Sequence, residues 1–445
     1  MNTHLNKRIL SAGRWQILAT TGQTVFRLGS NLIMTRLLMP EAFGMVALAA
    51  TLMTAMILFT DIGIKQSIIR EIDGADAHFL RVAWITKIFR GLFIALCILI
   101  FAGALQIWGP LLMPVDSGYA QPEMPGLLVL VALVPVLQSL ESTNLERVHR
   151  DISIGRVTML ELVAQILSIV TMVAAAVLSP TVWSLMFGML SRHIYFAIFT
   201  HKFLSGPTMK FEWDRVISGR LWTFGRWIMG SSALTFFVRF ADNLFLAALM
   251  NTVSFGLFSI ARIWIYAGRE MVNRLVTNVC YPTISEVLRE RPKDLRRVFR
   301  KLQTGLDIVC VTGFLGAYFF GPILVDWLYT DNFQEAGRYL QLMAGMLLLQ
   351  RSNNHSQLIL SLGNSRLVLF ITAIQAIGIC TFVPLFFMIW GVNGAILASI
   401  LAPVLSVPYV LYLTRHKLGI KQIAVDGAIF LASLIVVGWV FASVA

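Results

Sequence analysis

The sequence predicts an all-α polytopic membrane protein, with two parallel-repeat six-helix halves around a central cavity and one further C-terminal helix. Three observations predict it: composition, the length of the apolar runs, and an internal repeat at a fixed offset. Of 445 residues, 57% are hydrophobic and only 13% charged, with a mean hydropathy of +0.75. A soluble domain carries about 25% charged residues. The apolar runs are continuous over about 20 residues, the length that crosses a hydrocarbon core of about 30 Å. These features exclude a soluble enzyme, a disordered chain and a membrane β-barrel, whose segments are about 10 residues long and alternate.

Windows of about 19 residues place thirteen spans near 15–37, 42–60, 83–106, 126–143, 157–179, 181–200, 225–250, 254–276, 303–325, 338–361, 367–389, 392–414 and 424–443. Alternate loops hold 25 of the 36 Lys and Arg residues, among them Lys65, Arg70, Arg147, Lys210, Arg297 and Lys417. The intervening loops hold none. The positive-inside rule therefore puts the N-terminus in the cytoplasm, and thirteen spans put the C-terminus on the far side. The net charge of +13 is explained by topology, so no nucleic-acid partner is expected. The N-terminus lacks a short apolar core with a small-residue cleavage site and reads as uncleaved. Cys97, Cys280, Cys310 and Cys380 form no CxxC pair, so neither a disulfide framework nor a metal site is read. The longest far-side loop, 109–126, is too short for a folded domain. In the longest cytoplasmic loop, 277–302, the stretch SEVLRERPKDLRRVFRKL reads as amphipathic and suited to anionic lipid headgroups.

Gly13-Arg14-Trp15 recurs as Gly225-Arg226-Trp227. The same offset of 212 pairs Arg27 with Arg239, Asn31 with Asn243, Leu32 with Leu244 and Leu37 with Leu249. It also pairs Phe43-Gly44 with Phe255-Gly256 and Ala49 with Ala261. Ten identities over residues 13–50 compare with roughly three by chance. Spans 1 and 7 are thus equivalent, and six spans per half make the repeats parallel. The expected domains are 1–212 and 213–421, each a six-helix half, and 422–445, an additional helix. Pro135, Pro384, Pro403 and Pro408 lie within spans as candidate bends.

A charge at the bilayer centre costs at least about 2.5 kcal/mol, so it faces a bundle interior or an aqueous cavity. Gln16, Thr20, Gln23, Arg27, Asn31 and Thr35 step by three or four and form one stripe on span 1. Ser231, Thr235, Arg239 and Asn243 do the same on span 7, with Asp242 three residues beyond Arg239. Two readings follow: a cationic cavity for an anionic substrate, or a structural Arg239–Asp242 pair with Arg27 bonded to amides. The cavity reading is preferred because no carboxylate stands three or four residues from Arg27 in the sequence. Arg262 on span 8 and Arg351 on span 10 are further candidates, the latter beside Gln350, Asn353, Asn354 and His355. The substrate-binding set is therefore Gln23, Arg27, Asn31, Arg239, Asp242, Asn243, Arg262 and Arg351. Glu270 and Arg274 read as a local ion pair. Lys87 and Arg90 read as snorkelling toward the interface, and Glu161 and Asp307 as interfacial. Walker A, HExxH and GxSxG motifs are absent, so no catalytic residue, cofactor or metal is expected, and no enzyme.

The opening GRWQILATTGQTVFRLGSNLIMTRLLMPEAFGMVALA resembles the first two helices of the MOP (multidrug/oligosaccharidyl-lipid/polysaccharide) exporter superfamily, and most of all its polysaccharide-transporter branch, the Wzx-type flippases. NLERVHRDISIGRVTMLELVAQILSIV is similar to that branch's connection between helices four and five. RFADNLFLAALMNTVSFGLFSIA, CYPTISEVL and GVNGAILASIL resemble its later helices. The resemblance implies a bacterial inner-membrane transporter that flips undecaprenyl-diphosphate-linked oligosaccharide outward by alternating access for surface polysaccharide biosynthesis. It implies that Arg27, Arg239 and Arg262 neutralise diphosphate and acidic sugars, and that a polysaccharide polymerase and chain-length machinery are partners. The chain departs from fourteen-span relatives in having one extra helix where they have two. A drug/cation antiporter of the same superfamily would favour acidic cavity groups. A lipid II flippase shares the diphosphate-polyprenyl end. A polysaccharide polymerase or ligase would need a larger far-side loop. Reporter fusions after residues 210 and 295 should read as cytoplasmic and one at Ala445 as periplasmic; a cytoplasmic reading at Ala445 would contradict the thirteen-span topology.

Overall fold

The computed structural model describes residues 21–114, 116–150 and 155–444. Among them the regular elements are helices, with no strand. The first helix, α1, is described over 21–34; Gly13, Arg14, Trp15, Gln16 and Thr20 lie outside the described residues. It is followed by α2 (Pro40–Phe59), α3 (Ala77–Leu112), α4 (Met124–Leu140), α5 (Gly155–Leu178), α6 (Val182–Phe203), α7 (Arg215–Leu249) and α8 (Thr252–Leu275). A wide turn, Val276–Cys280, carries α8 on into Tyr281–Glu290. Next, α9 starts as Leu295–Leu315 and continues to Gly321–Leu328. The next helix, α10, runs in short pieces from Glu335–Met343 through Gly345–Leu349 and Gln350–Ser352 to Asn353–Ser361.

The stretch Ser365–Leu401 is broken at Trp390 and Gly391, whose φ of +61° and ψ of −146° suit glycine alone. Its limbs are α11 and α12, the latter continuing through Val407–Leu418. The chain doubles back at the break, because Gln375 Nε2 on α11 donates to Ser406 Oγ at 2.9 Å. The last helix, α13, is Ile420–Val444. Among the described residues the thirteen expected spans fall on these helices, the first of them over 21–34. Among the described residues eight helical stretches are long and apolar enough by composition to cross a membrane; one of them, Arg366–Leu418, has 53 residues. At 1.5 Å per residue that is about 80 Å, far beyond one bilayer core, so it supplies two crossings. The chain is a multi-pass membrane protein. The helices run through Pro135 and Pro384; the sharp break lies at Gly391 instead, where the left-handed backbone departs from helix.

Contacts divide the chain into two compact units, Met1–Phe236 and Phe237–Ala445. In the first, α3 packs along α4 and α5 along α6. Small residues allow this: a Cβ on Gly91 would lie 2.6 Å from Ser139 Cβ, and one on Gly188 would lie 2.6 Å from Met172 Cβ. Two short helices, Ile64–Arg70 and Asn144–Arg150, sit in the loops that carry basic residues. Arg150 does more than set topology there. Its guanidinium donates to the carbonyls of Ile68, Glu71 and Ile72, finishing the end of the short helix before it.

In the second unit, α10 packs against α8, α9 and α13. The expected lipid-surface stretch is helical on both sides of Pro292. Its apolar residues Ile284, Val287, Leu295 and Phe299 are buried against Leu358 and Leu418. Its charged residues, including Glu286, Arg289, Arg291, Lys293, Asp294 and Arg297, stay exposed. Of the ten offset-212 identities, the seven with both members described agree in burial. Arg27 and Arg239 are both exposed, Asn31 and Asn243 both buried, and Leu32 and Leu244 both half-buried. Phe43 and Phe255, Gly44 and Gly256, and Ala49 and Ala261 are all buried.

Candidate functional site

In the first unit, the α1 stripe carries Gln23, Arg27 and Asn31. Gln23 Nε2 donates to Glu161 Oε2 on α5 at 2.9 Å. Glu161 is therefore part of the stripe's surroundings and not merely interfacial. Gly22 lets α1 approach α5: a Cβ there would stand 3.0 Å from the Leu162 side chain. Asn31 is buried while Arg27 is exposed.

In the second unit, Arg239 is exposed on α7, and Asp242 and Asn243 are buried beside it. The alternative Arg239–Asp242 pair is not formed. Asp242 Oδ1 lies 3.5 Å from Arg262 Nη1 on α8. Arg262 is 7% exposed and its Nη2 donates to the Arg239 carbonyl at 2.8 Å and to the Tyr266 hydroxyl at 2.7 Å. Its guanidinium also stacks 4.4 Å from the Tyr266 ring centre. Local chemistry explains the arrangement. The Asn243 amide, the ordinary helical donor to the Arg239 carbonyl, bonds the Asp242 carboxylate at 2.9 Å. The Arg239 carbonyl also receives Arg262 and the Tyr266 hydroxyl, the latter at 3.0 Å. Arg262 thus bolts α7 to α8, a role that its sequence position did not reveal. The expected Glu270–Arg274 pair forms at 3.1 Å.

A third set lies where α9, α10 and α13 meet. Arg351, 4% exposed, donates Nε and Nη2 to the two Asp307 oxygens at 2.8 and 2.9 Å, a bidentate fork. Its Nη1 donates to the Asp426 carbonyl at 3.0 Å. The Asp426 carboxylate receives Gln422 Nε2 at 3.0 and 3.1 Å and lies 3.3 Å from His355 Nε2. Gln303 bonds Asp307 at 2.9 Å and Asn354 bonds Gln303 at 3.1 Å. A cavity of about 350 Å³ opens beside this network, lined by Arg300, Thr304, Asp307, Lys421 and Asp426 among others. The polarity of span 10 is therefore interhelical bonding at Arg351 and His355, with Asp307 as its anchor. Sequence reasoning missed Asp426, although a lone carboxylate in an apolar helix is itself a signal.

The first unit holds a related cluster between α3 and α4. Lys87 Nζ, expected to snorkel, lies 3.9 Å from Glu141 Oε2 and 3.6 Å from Glu146 Oε1. His193 Nδ1 lies 3.6 Å from Glu141 Oε1. Arg90, the other expected snorkeller, donates to the Ile57 carbonyl at 2.6 Å and so caps α2. Outside the spans, His78 and then Arg81 hydrogen-bond Glu212 and hold its carboxyl below the usual range. Arg220 does the same for Asp73, with a bond of 2.7 Å.

The sequence model for polysaccharide biosynthesis proteins matches residues 33–338. The chain belongs to that family. Among curated family relatives, it is similar to the lipopolysaccharide biosynthesis protein WzxC of Escherichia coli (strain K12), 20% identical over 354 residues, 79% of this chain and 69% of WzxC. It is also similar to the succinoglycan biosynthesis transport protein ExoT of Rhizobium meliloti (strain 1021), 22% identical over 287 residues, 63% of this chain and 54% of ExoT. The match thus spans about half the length of ExoT. Among solved structures, the fold is similar to an inward-facing multidrug resistance MATE family transporter of the MOP superfamily, with a TM-score of 0.68 at 12% identity, covering 95% of this chain and 96% of the other. It is similar as well to the lipid II flippase MurJ in an inward closed conformation, with a TM-score of 0.69 at 13% identity, covering 96% and 93%. The resemblance to the MOP superfamily and its Wzx-type branch holds.

Within this family member, the two candidate arginines of the second unit should separate by mutation. Arg262→Met leaves Asp242 buried without its cation and should lower stability by about 3–5 kcal/mol. Arg239→Met should change it by less than about 0.5 kcal/mol. Thermal unfolding of purified protein, followed by tryptophan fluorescence, measures both; equal losses would contradict the assignment.

Proposed function

We propose that this protein is a flippase that moves undecaprenyl-diphosphate-linked oligosaccharide across the bacterial inner membrane by alternating access, for surface polysaccharide biosynthesis. The observation that carries the reading is the pair Arg27 and Arg239. They stand 212 residues apart on repeat-equivalent helices, and both are exposed. An arginine facing lipid at that depth is costly, so exposure there means water or an anionic ligand. The guanidinium fork suits phosphate oxygens and keeps its charge in an apolar setting. The names of WzxC and ExoT support polysaccharide work.

In this reading 1–212 and 213–421 are the two six-helix halves and 422–445 is an added helix. The N-terminus is cytoplasmic and the C-terminus periplasmic. Gln23, Asn31 and Asn243 would flank the diphosphate. Asp242, Arg262 and Arg351 would hold the helices that present it. Anionic lipids would meet the exposed basic residues around Arg291, and a polysaccharide polymerase with chain-length machinery would take the product. A cation antiporter is disfavoured, because the exposed charges on α1 and α7 are arginines.

Arg27→Ala and Arg239→Ala should each cut export tenfold or more, the loss of one charge-assisted hydrogen bond of about 1.5–3 kcal/mol. Lysine should restore part of it, keeping charge without the fork. The readout is surface polysaccharide in a deletion strain complemented at matched protein level. Wild-type export by both alanine variants would overturn the reading.

A further inference from the structure

The network between α9, α10 and α13 engages its carboxylates and leaves two cations over. Asp307 accepts from Arg351 and Gln303, and both Asp426 oxygens accept from Gln422. The Gln422 Oε1 in turn accepts from Arg300 Nε at 2.9 Å. That bond holds the Arg300 guanidinium at the wall of the cavity of about 350 Å³. Its two terminal nitrogens have no partner among the described residues, and neither has the Lys421 ammonium, which lines the same cavity. Thr304, one turn beyond Arg300, lines it too. Thr51, Thr54 and Thr86 donate back to carbonyls of their own helices, whereas the Thr304 hydroxyl bonds nothing among the described residues. Three exposed donors without acceptors thus line one cavity.

The charges around it are Arg300, Lys421 and Arg351 against Asp307 and Asp426, so the surplus is positive. The volume falls in the range of ligand pockets, about 300–1,000 Å³. A guanidinium fork beside an ammonium and a hydroxyl suits the oxygens of a phosphate.

The surface below the cavity decides which phosphate. Both α9 and α13 pack on α10. Arg300 and Gln422 join them at one end, and they meet again where Phe314 and Val440 share a buried cluster. Arg300 and Phe314 are about 20 Å apart along α9 at 1.5 Å per residue, more than one leaflet of a core about 30 Å thick. Over that length Ile308 and Val311 follow Thr304 at helical spacing and are exposed. Val425 and Ile429 of α13 line the cavity and are exposed as well. A free phosphate would leave this apolar surface bare, and a phospholipid covers it.

We propose that the cleft between α9 and α13 binds one anionic phospholipid of the cytoplasmic leaflet. Its phosphate sits between Arg300 and Lys421 and accepts from Thr304. Its acyl chains lie on Ile308, Val311, Val425 and Ile429. The leaflet follows from the basic loops at this end of both helices, and basic pockets between spans on that side suit anionic headgroups. The bound lipid adds to the Arg300–Gln422 bond in joining α13 to α9. The site is separate from the exposed loop around Arg291. It uses neither Arg27 nor Arg239, so it does not rest on the flippase reading.

Native mass spectrometry of the purified full chain, titrated with phosphatidylglycerol or with phosphatidylethanolamine, tests it. Both lipids carry a phosphate, and only the first is anionic overall. The first phosphatidylglycerol should bind at least tenfold more tightly than phosphatidylethanolamine. Lys421→Gln breaks no side-chain bond within the protein and should weaken that binding about fivefold, the share of one basic residue at an anionic headgroup. Adding Arg300→Gln should bring the two lipids to parity. The loop pair Arg291→Gln, Lys293→Gln should leave the first binding step unchanged. Glycerol 3-phosphate, which lacks the chains, and undecaprenyl diphosphate should not displace the lipid at equal concentration. Equal binding of both lipids by the wild-type protein, an unchanged preference in Lys421→Gln, an equal loss in the loop pair, or displacement by either competitor would overturn the site.

Discussion

The cost of leaving a charge unpaired in hydrocarbon governs this structure. Each charged side chain inside the spans must meet an opposite charge, a carbonyl or water. Asp242 meets Arg262, Lys87 meets Glu141 and Glu146, and Arg351 meets Asp307. These pairs do not add much stability beyond what apolar residues of equal size would give, because burial of both ions is expensive. They fix which helices pair and at what height. Arg262 reaches across to α7, and Asp426 ties the added helix α13 to α10. Arg27 and Arg239 differ from these groups in being exposed.

Both units apply the same solution at corresponding places. In each, the third and fourth spans are joined by buried charge: Lys87 on α3 to Glu141 after α4, and Asp307 on α9 to Arg351 on α10. The sense of charge is reversed between them. A repeated fold thus keeps the location of an ionic tie while exchanging its signs, since the energy depends on the product of the charges. The tie in the second unit has an additional member, Asp426, which the first unit lacks a helix to supply. Small residues do the complementary work, with Gly91 and Gly188 bringing backbones close where no charge is involved.

Much of this was legible in the sequence, for a physical reason. A span must be about 20 apolar residues long, so thirteen runs gave thirteen helices, and the offset of 212 gave equivalent positions with equal burial. The break at Gly391 was visible as a turn between two runs. Partnership was not legible. Asp242 lies three residues from Arg239 and twenty from Arg262, yet the fold joins it to the distant one, because pairing depends on which faces meet. For the same reason Lys87 and Arg90 looked able to snorkel, although neighbouring helices supply carboxylates and a carbonyl within reach. The basic loop around Arg291 showed its charge but not that its apolar side is covered by Leu358 and Leu418. Of the candidate site, the residue types and the repeat were readable. The separation of Arg262, bound within the protein, from exposed Arg239 needed the structure.

The central claim is that exposed arginines on two equivalent helices recognise a diphosphate on a polyprenyl chain. Native mass spectrometry of the purified chain with undecaprenyl diphosphate and with uncharged undecaprenol tests this most directly. The account predicts that the diphosphate binds at least tenfold more tightly, and that the Arg27→Ala, Arg239→Ala double variant brings the two lipids to parity. Equal binding of both lipids by the wild-type protein would contradict it.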